Sequence, residues 1–490
     1  MKVLFLNPPF FDNFSRESRS PAVAKSGTLY MPKWLCTAAG VAIKEGYDVD
    51  VIDAPAPSCP VKNLFDYIGE NKFEAVVCDS STPSIINDIG VVEKIIKLYP
   101  SIKVIMVGRH VSAMPKETFE LSTALEFLAV REYEYIVRDW LHAIKNKTPF
   151  ENVKGLAWRD DTKNVVINPS MPPIKNLDEI PFVTKVYKEF LTISDYYYGH
   201  SLHPLVVFDT SRGCPFKCTF CAYPQTFSGH KMRYRSIENV ADEFDYVARN
   251  FPGIKTIMLE DDTFIINVKR TEKLADELIK RGNKIPFDSN CRYDTKADLK
   301  FFEKLHKAGA RLFCVGFESG NDEVLQKMLK GPKVKVEQSR PFVDKVQKAG
   351  IMVHGCFMLG NLNETKETMQ STLDMALDIR PDTAQFYPIM VYPGTAAYEE
   401  AKHRGMLETE DFTKWLTSDG LHNSVVSLPN ISHKELVEFA DHARNKFYTS
   451  PKYIAWKVWQ SLKSYDEFHR NFKGFRVLVK YLIQGSFGRK

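Results

Sequence analysis

The sequence predicts an α/β protein. An N-terminal Rossmann-like doubly wound sheet over 1–150 is followed by a central partial (β/α)6 TIM-type barrel over 201–400 and a helical C-terminal region over 401–490. Two observations carry this. Short, continuous apolar runs alternate with windows of helical length, once before residue 150 and again after residue 200. Nearly every run then ends in a cluster of polar, charged or glycine residues, as expected where parallel strands present their carboxyl ends to a ligand.

The elements follow in order. Val3–Leu6 is a strand ending at Asn7, Pro8 and Pro9, and Lys33–Lys44 is a helix whose Ala38, Ala39 and Gly40 permit close packing. The strand Asp48–Ile52 ends at Asp53, and Ala75–Cys78 runs into Ser80, Ser81 and Thr82. After the amphipathic helix Ile85–Leu98, Val104–Val107 ends at Gly108, Arg109 and His110. Leu125–Val130 ends at Arg131 and Glu132, before a helix over Tyr133–Ile144. Residues 151–200 read as a linker, with a polar hairpin over 155–168 and a Pro-rich stretch over 169–181. The barrel strands are Leu205–Asp209, Ile254–Leu259, Phe287–Asn290, Leu312–Phe317, Ile351–Met358 and Thr383–Ile389. Their ends carry a cysteine loop, Glu260-Asp261-Asp262, Cys291-Arg292, Glu318-Ser319, Leu359-Gly360 and Tyr392-Pro393-Gly394.

Composition excludes several classes. Charged residues make up 26% of 490 residues and the net charge is only +5, which does not argue for nucleic acid. No apolar run approaches the roughly 20 residues of a membrane span. The first residues, MKVLFLNPPF, are too quickly broken by proline for a secretory signal, and 9 cysteines without one speak against a disulfide framework. A reducing cytoplasm is the expected location. Residues 451–490 hold nine Lys/Arg against Asp466 and Glu467, interleaved with Trp456, Trp459, Phe475, Leu478 and Tyr481. Such a tail suits peripheral contact with the inner face of an anionic membrane, or else packs on the barrel with a solvated basic face.

The chemistry centres on Cys214, Cys218 and Cys221, spaced C-x3-C-x2-C directly after a strand. Three thiolates on one loop hold three irons of a 4Fe–4S cluster and leave the fourth open. A zinc site would want a fourth Cys or His, and His230 is the only near candidate.

With Phe220 at the aromatic position, this loop resembles the signature of the radical S-adenosylmethionine (SAM) superfamily. The resemblance extends through Pro224-Gln225-Thr226, Arg233-Tyr234-Arg235-Ser236, Gly316-Phe317-Glu318-Ser319-Gly320 and Tyr392-Pro393-Gly394-Thr395. It implies SAM bound at the open iron and cleaved by one electron, drawn from a flavodoxin or ferredoxin, to a 5′-deoxyadenosyl radical. It also implies SAM contacts from Phe220, Glu260, Asp261, Asp262, Arg292, Glu318 and Ser319. Structural roles compete: a helix cap for the acidic run, a surface ion pair for Arg292, and core packing for Phe220 and Tyr223. Cys291, Cys314 and Cys356 read as inert buried thiols rather than extra ligands. Tyr387 and Tyr392 are candidates to quench a product radical, although tyrosines there also serve as packing.

The preceding sheet resembles that of the cobalamin-dependent branch, which includes the magnesium-protoporphyrin ester cyclases. The closest look is to the hopanoid-biosynthesis enzyme of cyclitol head-group formation and to calditol synthase. Cobalamin would then meet Asn7, Ser80, Ser81, Thr82, Gly108, Arg109, His110 and Glu132. Val107-Gly108-Arg109-His110-Val111-Ser112 is one glycine short of the usual turn, and Asp-x-His-x-x-Gly is absent, so His110 reads as a packing residue rather than a cobalt ligand. A sheet without cofactor stays open. Three functions are expected in turn: remodelling of a lipid's polyol head group by ring contraction, cobalamin-dependent C-methylation of a lipid or small molecule, and non-catalytic sensing.

Overall fold

The computed structural model describes residues 1–24, 26–462 and 465–484; in the last helix, side chains are described to Arg476 and at Val479. The first sheet contains β1 (Lys2–Asn7), β2 (Asp48–Asp53), β3 (Ala75–Ser80), β4 (Lys103–Gly108), β5 (Phe127–Ala129), β6 (Leu156–Arg159) and β7 (Val165–Ile167). Their order is β2-β1-β3-β4-β5-β6-β7. The first five pair in parallel, and the hairpin β6–β7 extends the edge in antiparallel fashion. The chain order reverses between β1 and β3, so the loops there diverge and leave a crevice.

Continuous apolar strands need cover on both faces. Val3, Phe5 and Val77 pack under the helices Lys33–Lys44 and Glu134–Asn146, while Leu4, Leu6 and Val76 pack under Leu64–Asn71 and Ile85–Leu98. Gly40 lets the first helix pack closely, since a Cβ there would lie 3.3 Å from Val186 Cγ2.

The second sheet is wholly parallel, in sequence order: β8 (Leu205–Phe208), β9 (Thr256–Leu259), β10 (Phe287–Cys291), β11 (Ala310–Glu318), β12 (Met352–Leu359) and β13 (Thr383–Pro388). Each pair is joined by a helical crossover, giving the open six-strand barrel. The exposed edge of β13 is blunted by the helix His433–Tyr448. Tyr448 Oη donates to the Ala384 carbonyl at 2.7 Å and accepts from the Ala384 amide at 2.9 Å. The core of the first sheet's inner face runs unbroken into that of the barrel.

Candidate functional site

The cysteine loop leaves β8 through Thr210 and Ser211. Gly213 adopts φ +90°, and a Cβ there would lie 2.4 Å from the Lys231 carbonyl oxygen. Only glycine makes that turn. Gln225 Nε2 then gathers the loop from inside, donating to the carbonyls of Cys218 (3.1 Å) and Cys221 (2.7 Å). Cys214, Cys218 and Cys221 are unpaired and partly exposed. Burial pushes the Cys214 thiol up to about 11 and the Cys221 thiol up to about 12. Thiols bind metal as thiolates, so this site favours a cationic cluster that offsets the burial. The donor set fits a 4Fe–4S cluster.

Arg292 lies against this loop. Its guanidinium stacks 3.6 Å from the Phe216 ring centre, and Nη1 is 3.9 Å from Cys218 Sγ. Asp294 holds it at 2.9 and 3.0 Å, and the Lys330 carbonyl at 2.6 Å. Phe220 packs half-buried against the core.

The acidic run after β9 divides three ways. Glu260 faces the gap between the two sheets, with Asn290 Nδ2 3.4 Å away. Burial raises its pKa, against the pull of Arg19 and Lys33. Asp261 accepts from the Thr210 amide, Thr210 Oγ1 and Ser211 Oγ, each at 2.6 Å, so it anchors the start of the cysteine loop. Asp262 accepts from Ser228 Oγ at 3.0 Å and pairs with Arg19 at 3.3 Å.

At the end of β11, Glu318 sits at φ +67° beside a register shift. A non-glycine residue held there is strained, and such strain concentrates at working sites. Its carboxylate accepts from Lys330 Nζ (3.0 Å) and Tyr387 Oη (3.3 Å). Gly316 makes room, since a Cβ would meet Glu318 Oε1 at 2.3 Å. Ser319 is buried, 3.4 Å from Thr372 Oγ1. Tyr392 turns toward the other sheet, where its hydroxyl lies 3.0 Å from Ser20 Oγ. Tyr387 and Tyr392 are therefore not neighbours in function: one meets Glu318, the other the N-terminal segment.

That segment, described over residues 8–24 and 26–32, was not singled out from sequence. Glu17 caps the helix Lys33–Lys44 by accepting from the Trp34 (2.7 Å) and Leu35 (2.9 Å) amides. Arg19 and Arg109 flank the Tyr223 ring at 5.0 and 4.7 Å. Tyr30, Lys33 and Tyr198 line the same gap. Two arginines in the polar run Ser15–Ser20, just past a strand end, are the only sequence signal for it.

At the crest of the first sheet, Asn7 donates to Asp53 (2.6 Å) and accepts from Arg16 (2.7 Å). Ser80 Oγ donates to the Val107 carbonyl at 2.7 Å, and Ser81 and Ser84 hydroxyls meet at 2.8 Å. Gly108 comes so near that a Cβ would lie 2.3 Å from the Ser80 carbonyl oxygen. Asp79 Oδ2 is buried there without a partner. Small hydroxyls, a glycine turn and an unpaired acceptor fit the amide-rich rim of a corrin. His110 offers no ligand: it is 1% exposed, Nδ1 is 3.2 Å from Thr82 Oγ1, and Phe412 packs edge-on against it. Glu132 points away from the crest, to Arg233 at 2.6 and 2.8 Å.

A mostly parallel sheet joined to an open parallel barrel, with a three-cysteine loop after a barrel strand and Arg109 of the first sheet against Tyr223 beside that loop, defines an iron–sulfur enzyme of two cofactor domains. The comparisons agree. The Radical SAM superfamily model matches residues 209–376 and the B12 binding domain model residues 19–139. An uncharacterized methyltransferase of Pyrococcus horikoshii is 30% identical over 460 residues, covering 93% of this chain and 94% of that one. The anaerobic magnesium-protoporphyrin IX monomethyl ester cyclase of Cereibacter sphaeroides is 25% identical over 422 residues, 85% of this chain and 66% of that one. The structure of the radical SAM methyltransferase TsrM from Kitasatospora setae, with cobalamin and a [4Fe-4S] cluster bound, has a TM-score of 0.62 at 18% identity, covering 89% of this chain and 83% of that one. The chain belongs to the radical SAM superfamily, with a B12-binding domain ahead of the barrel. Its cofactors are a 4Fe–4S cluster, SAM and cobalamin.

Proposed function

We propose that this enzyme is a cobalamin-dependent radical SAM methyltransferase that methylates an unactivated carbon. The observation that carries the reading is the contact between the two cofactor domains: Arg109, directly after β4 of the first sheet, lies 4.7 Å from the ring of Tyr223 beside the cysteine loop, and Arg19 lies 5.0 Å from the same ring. When bound, the cluster and SAM supply a carbon-centred radical and the corrin supplies a methyl group. The chain's own residues then have separable tasks. Arg292 and Glu260 would bind the charged end of SAM, Asp261 fixes the loop, and Lys330 keeps Glu318 oriented. Exposed Lys217 and Lys231 beside the loop suit an acidic one-electron donor such as flavodoxin or ferredoxin.

Relatives named as methyltransferases support this reading over ring contraction, the first expectation. The narrower likeness to the hopanoid and calditol enzymes rests on motifs alone. The test is product stoichiometry after anaerobic reconstitution with cobalamin and SAM. Substrate turnover should yield S-adenosylhomocysteine and 5′-deoxyadenosine together. Turnover with 5′-deoxyadenosine and no S-adenosylhomocysteine sinks methyl transfer in favour of ring chemistry.

A lipid substrate has one observation in its favour. On the helices Pro451–Ser461 and Tyr465–Gln484, Ile454, Val458, Phe468, Phe472 and Phe475 are exposed, and so is Leu462, which caps the first, at 81%. Val477, Leu478, Tyr481 and Leu482, expected on the same face, lie outside the described side chains. No described helix is long and apolar enough to cross a membrane. Apolar residues among lysines and arginines suit an anionic bilayer surface. Co-sedimentation with phosphatidylglycerol vesicles should exceed that with phosphatidylcholine and should fall at least about tenfold in Leu462→Asp/Phe475→Asp, since each lost side chain removes about 1.5–3 kcal/mol of burial. Equal partitioning of wild type and variant removes the lipid argument.

A further inference from the structure

Inside the barrel, three side chains that the cysteine loop does not use converge. In the parallel register Cys314 of β11 lies opposite His354 of β12, and Gly316 opposite Cys356. The Cys314 and Cys356 sulfurs are 3.6 Å apart. With a His354 ring nitrogen, all three donor atoms lie within 4.8 Å of one another. His354 Nδ1 is 2.7 Å from Thr383 Oγ1 on β13, the kind of outer contact that fixes the ring of a ligating histidine. His200 stacks on the His354 ring at 4.9 Å, and its Nε2 is buried with no hydrogen-bond partner. His354 is buried, whereas both sulfurs keep partial exposure to the barrel interior.

The spacing has a chemical meaning. Two thiolates bound at about 2.3 Å to one tetrahedral ion stand roughly 3.8 Å apart. A disulfide would bring them to about 2.05 Å, and both cysteines are free. Two sulfurs and an imidazole select a borderline-soft cation over calcium or magnesium, which require oxygen ligands. Three protein ligands with a fourth position open is the pattern of catalytic rather than structural zinc.

We propose that Cys314, His354 and Cys356 bind one zinc-class divalent cation, whose open position faces the barrel interior and takes an oxygen or nitrogen donor of the substrate. The substrate half of this rests on the barrel interior being the reaction chamber; the binding half does not. The cation would hold and polarise a polar group near Glu318, at the far end of β11. Binding releases the thiol protons of Cys314 and Cys356 to solvent and changes no oxidation state.

The test uses the full chain with its cluster reconstituted anaerobically, dialysed against Zn²⁺, with zinc and iron counted by mass spectrometry. Wild type should retain a single zinc per chain with no loss of cluster iron. Cys314→Ala/Cys356→Ala, and separately His354→Gln, should weaken zinc binding by about 100-fold or more while leaving cluster iron and its electron paramagnetic resonance signal in place. His354→Gln keeps the test valid if the double variant misfolds. The proposal fails if wild type binds no zinc, if zinc enters only at the expense of iron, if the variants bind as tightly, or if Cys314 and Cys356 are recovered as a disulfide. None of these readouts depends on which SAM products form, so failure here is distinct from failure of the methyltransferase reading.

Discussion

At the scale of single residues, burial decides what the titratable groups can do. His110 is among the corrin contacts expected from the sequence, yet its imidazole is sealed beneath Phe412 and bonded to Thr82. Burial lowers its pKa to about 3, so it stays neutral in the native state through the whole acidic range above that. The unfolded chain takes up the proton below about 6.5. Between those values the unfolded state binds more protons, so stability falls as pH falls, and above about 6.5 this residue has no effect. At pH 5 the loss from His110 alone is about 2 kcal/mol. His110→Asn keeps a nitrogen for Thr82 without the titration. Urea unfolding at pH 7 and pH 5 should show a smaller pH loss in the variant by about that amount. Equal losses in both proteins would show that His110 is not held neutral. The same residue-scale logic separates the acidic run. Asp261 is locked by three donors from the start of the cysteine loop, whereas Glu260 keeps a face on the gap.

At the scale of elements, what was legible and what was not have a common cause. Strands and crossover helices write themselves into local periodicity. The helix Lys33–Lys44 therefore has the ends read from sequence, and the cysteine loop follows its strand as expected. Cys214, Cys218 and Cys221 stood out as a set in the sequence because all three lie on one loop. The segment 8–32 was not, because it is aperiodic, and Glu17, Arg19 and Tyr30 acquire meaning only from partners on distant elements. Glu17 reads as a surface acid until Trp34 and Leu35 amides are seen to point at it. Cys314, His354 and Cys356 show the same limit in the barrel. Each looks like an inert strand residue, and only the register of β11 on β12 makes them neighbours. The hairpin β6–β7 was visible as a hairpin, but its pairing with β5 was not, because an edge strand's partner leaves no local trace.

At the scale of the whole molecule, the two sheets are held in one relation by a buried charge cluster, and Glu132 is its centre. Glu132 follows β5 of the first sheet. Arg233 follows the cysteine loop, in a two-residue strand paired with Ser211–Arg212, and grips Glu132 through two bonds of 2.6 and 2.8 Å. Arg212 stands 3.7 Å away and pairs with Glu134 at 2.7 Å. Arg233 also donates to the carbonyls of Ser228 and Ile174, so one guanidinium ties the first sheet, the linker and the cluster loop together. Glu132 and Arg233 are 6% and 7% exposed. At such burial, removing one partner leaves an unpaired charge, and the cost is about 3–5 kcal/mol. Glu132→Gln should therefore lower the unfolding midpoint and also reduce cluster retention after gel filtration, because the loop loses its brace. Removing both charges together gives the deciding control. In Glu132→Gln/Arg233→Met no buried charge is left unpaired at this contact, so the double variant should be more stable than Glu132→Gln alone, although it has lost more hydrogen bonds. A double variant that is less stable by the sum of the two single losses would mean that the residues act independently. The relation between the cofactor domains would then have to come from the apolar core they share.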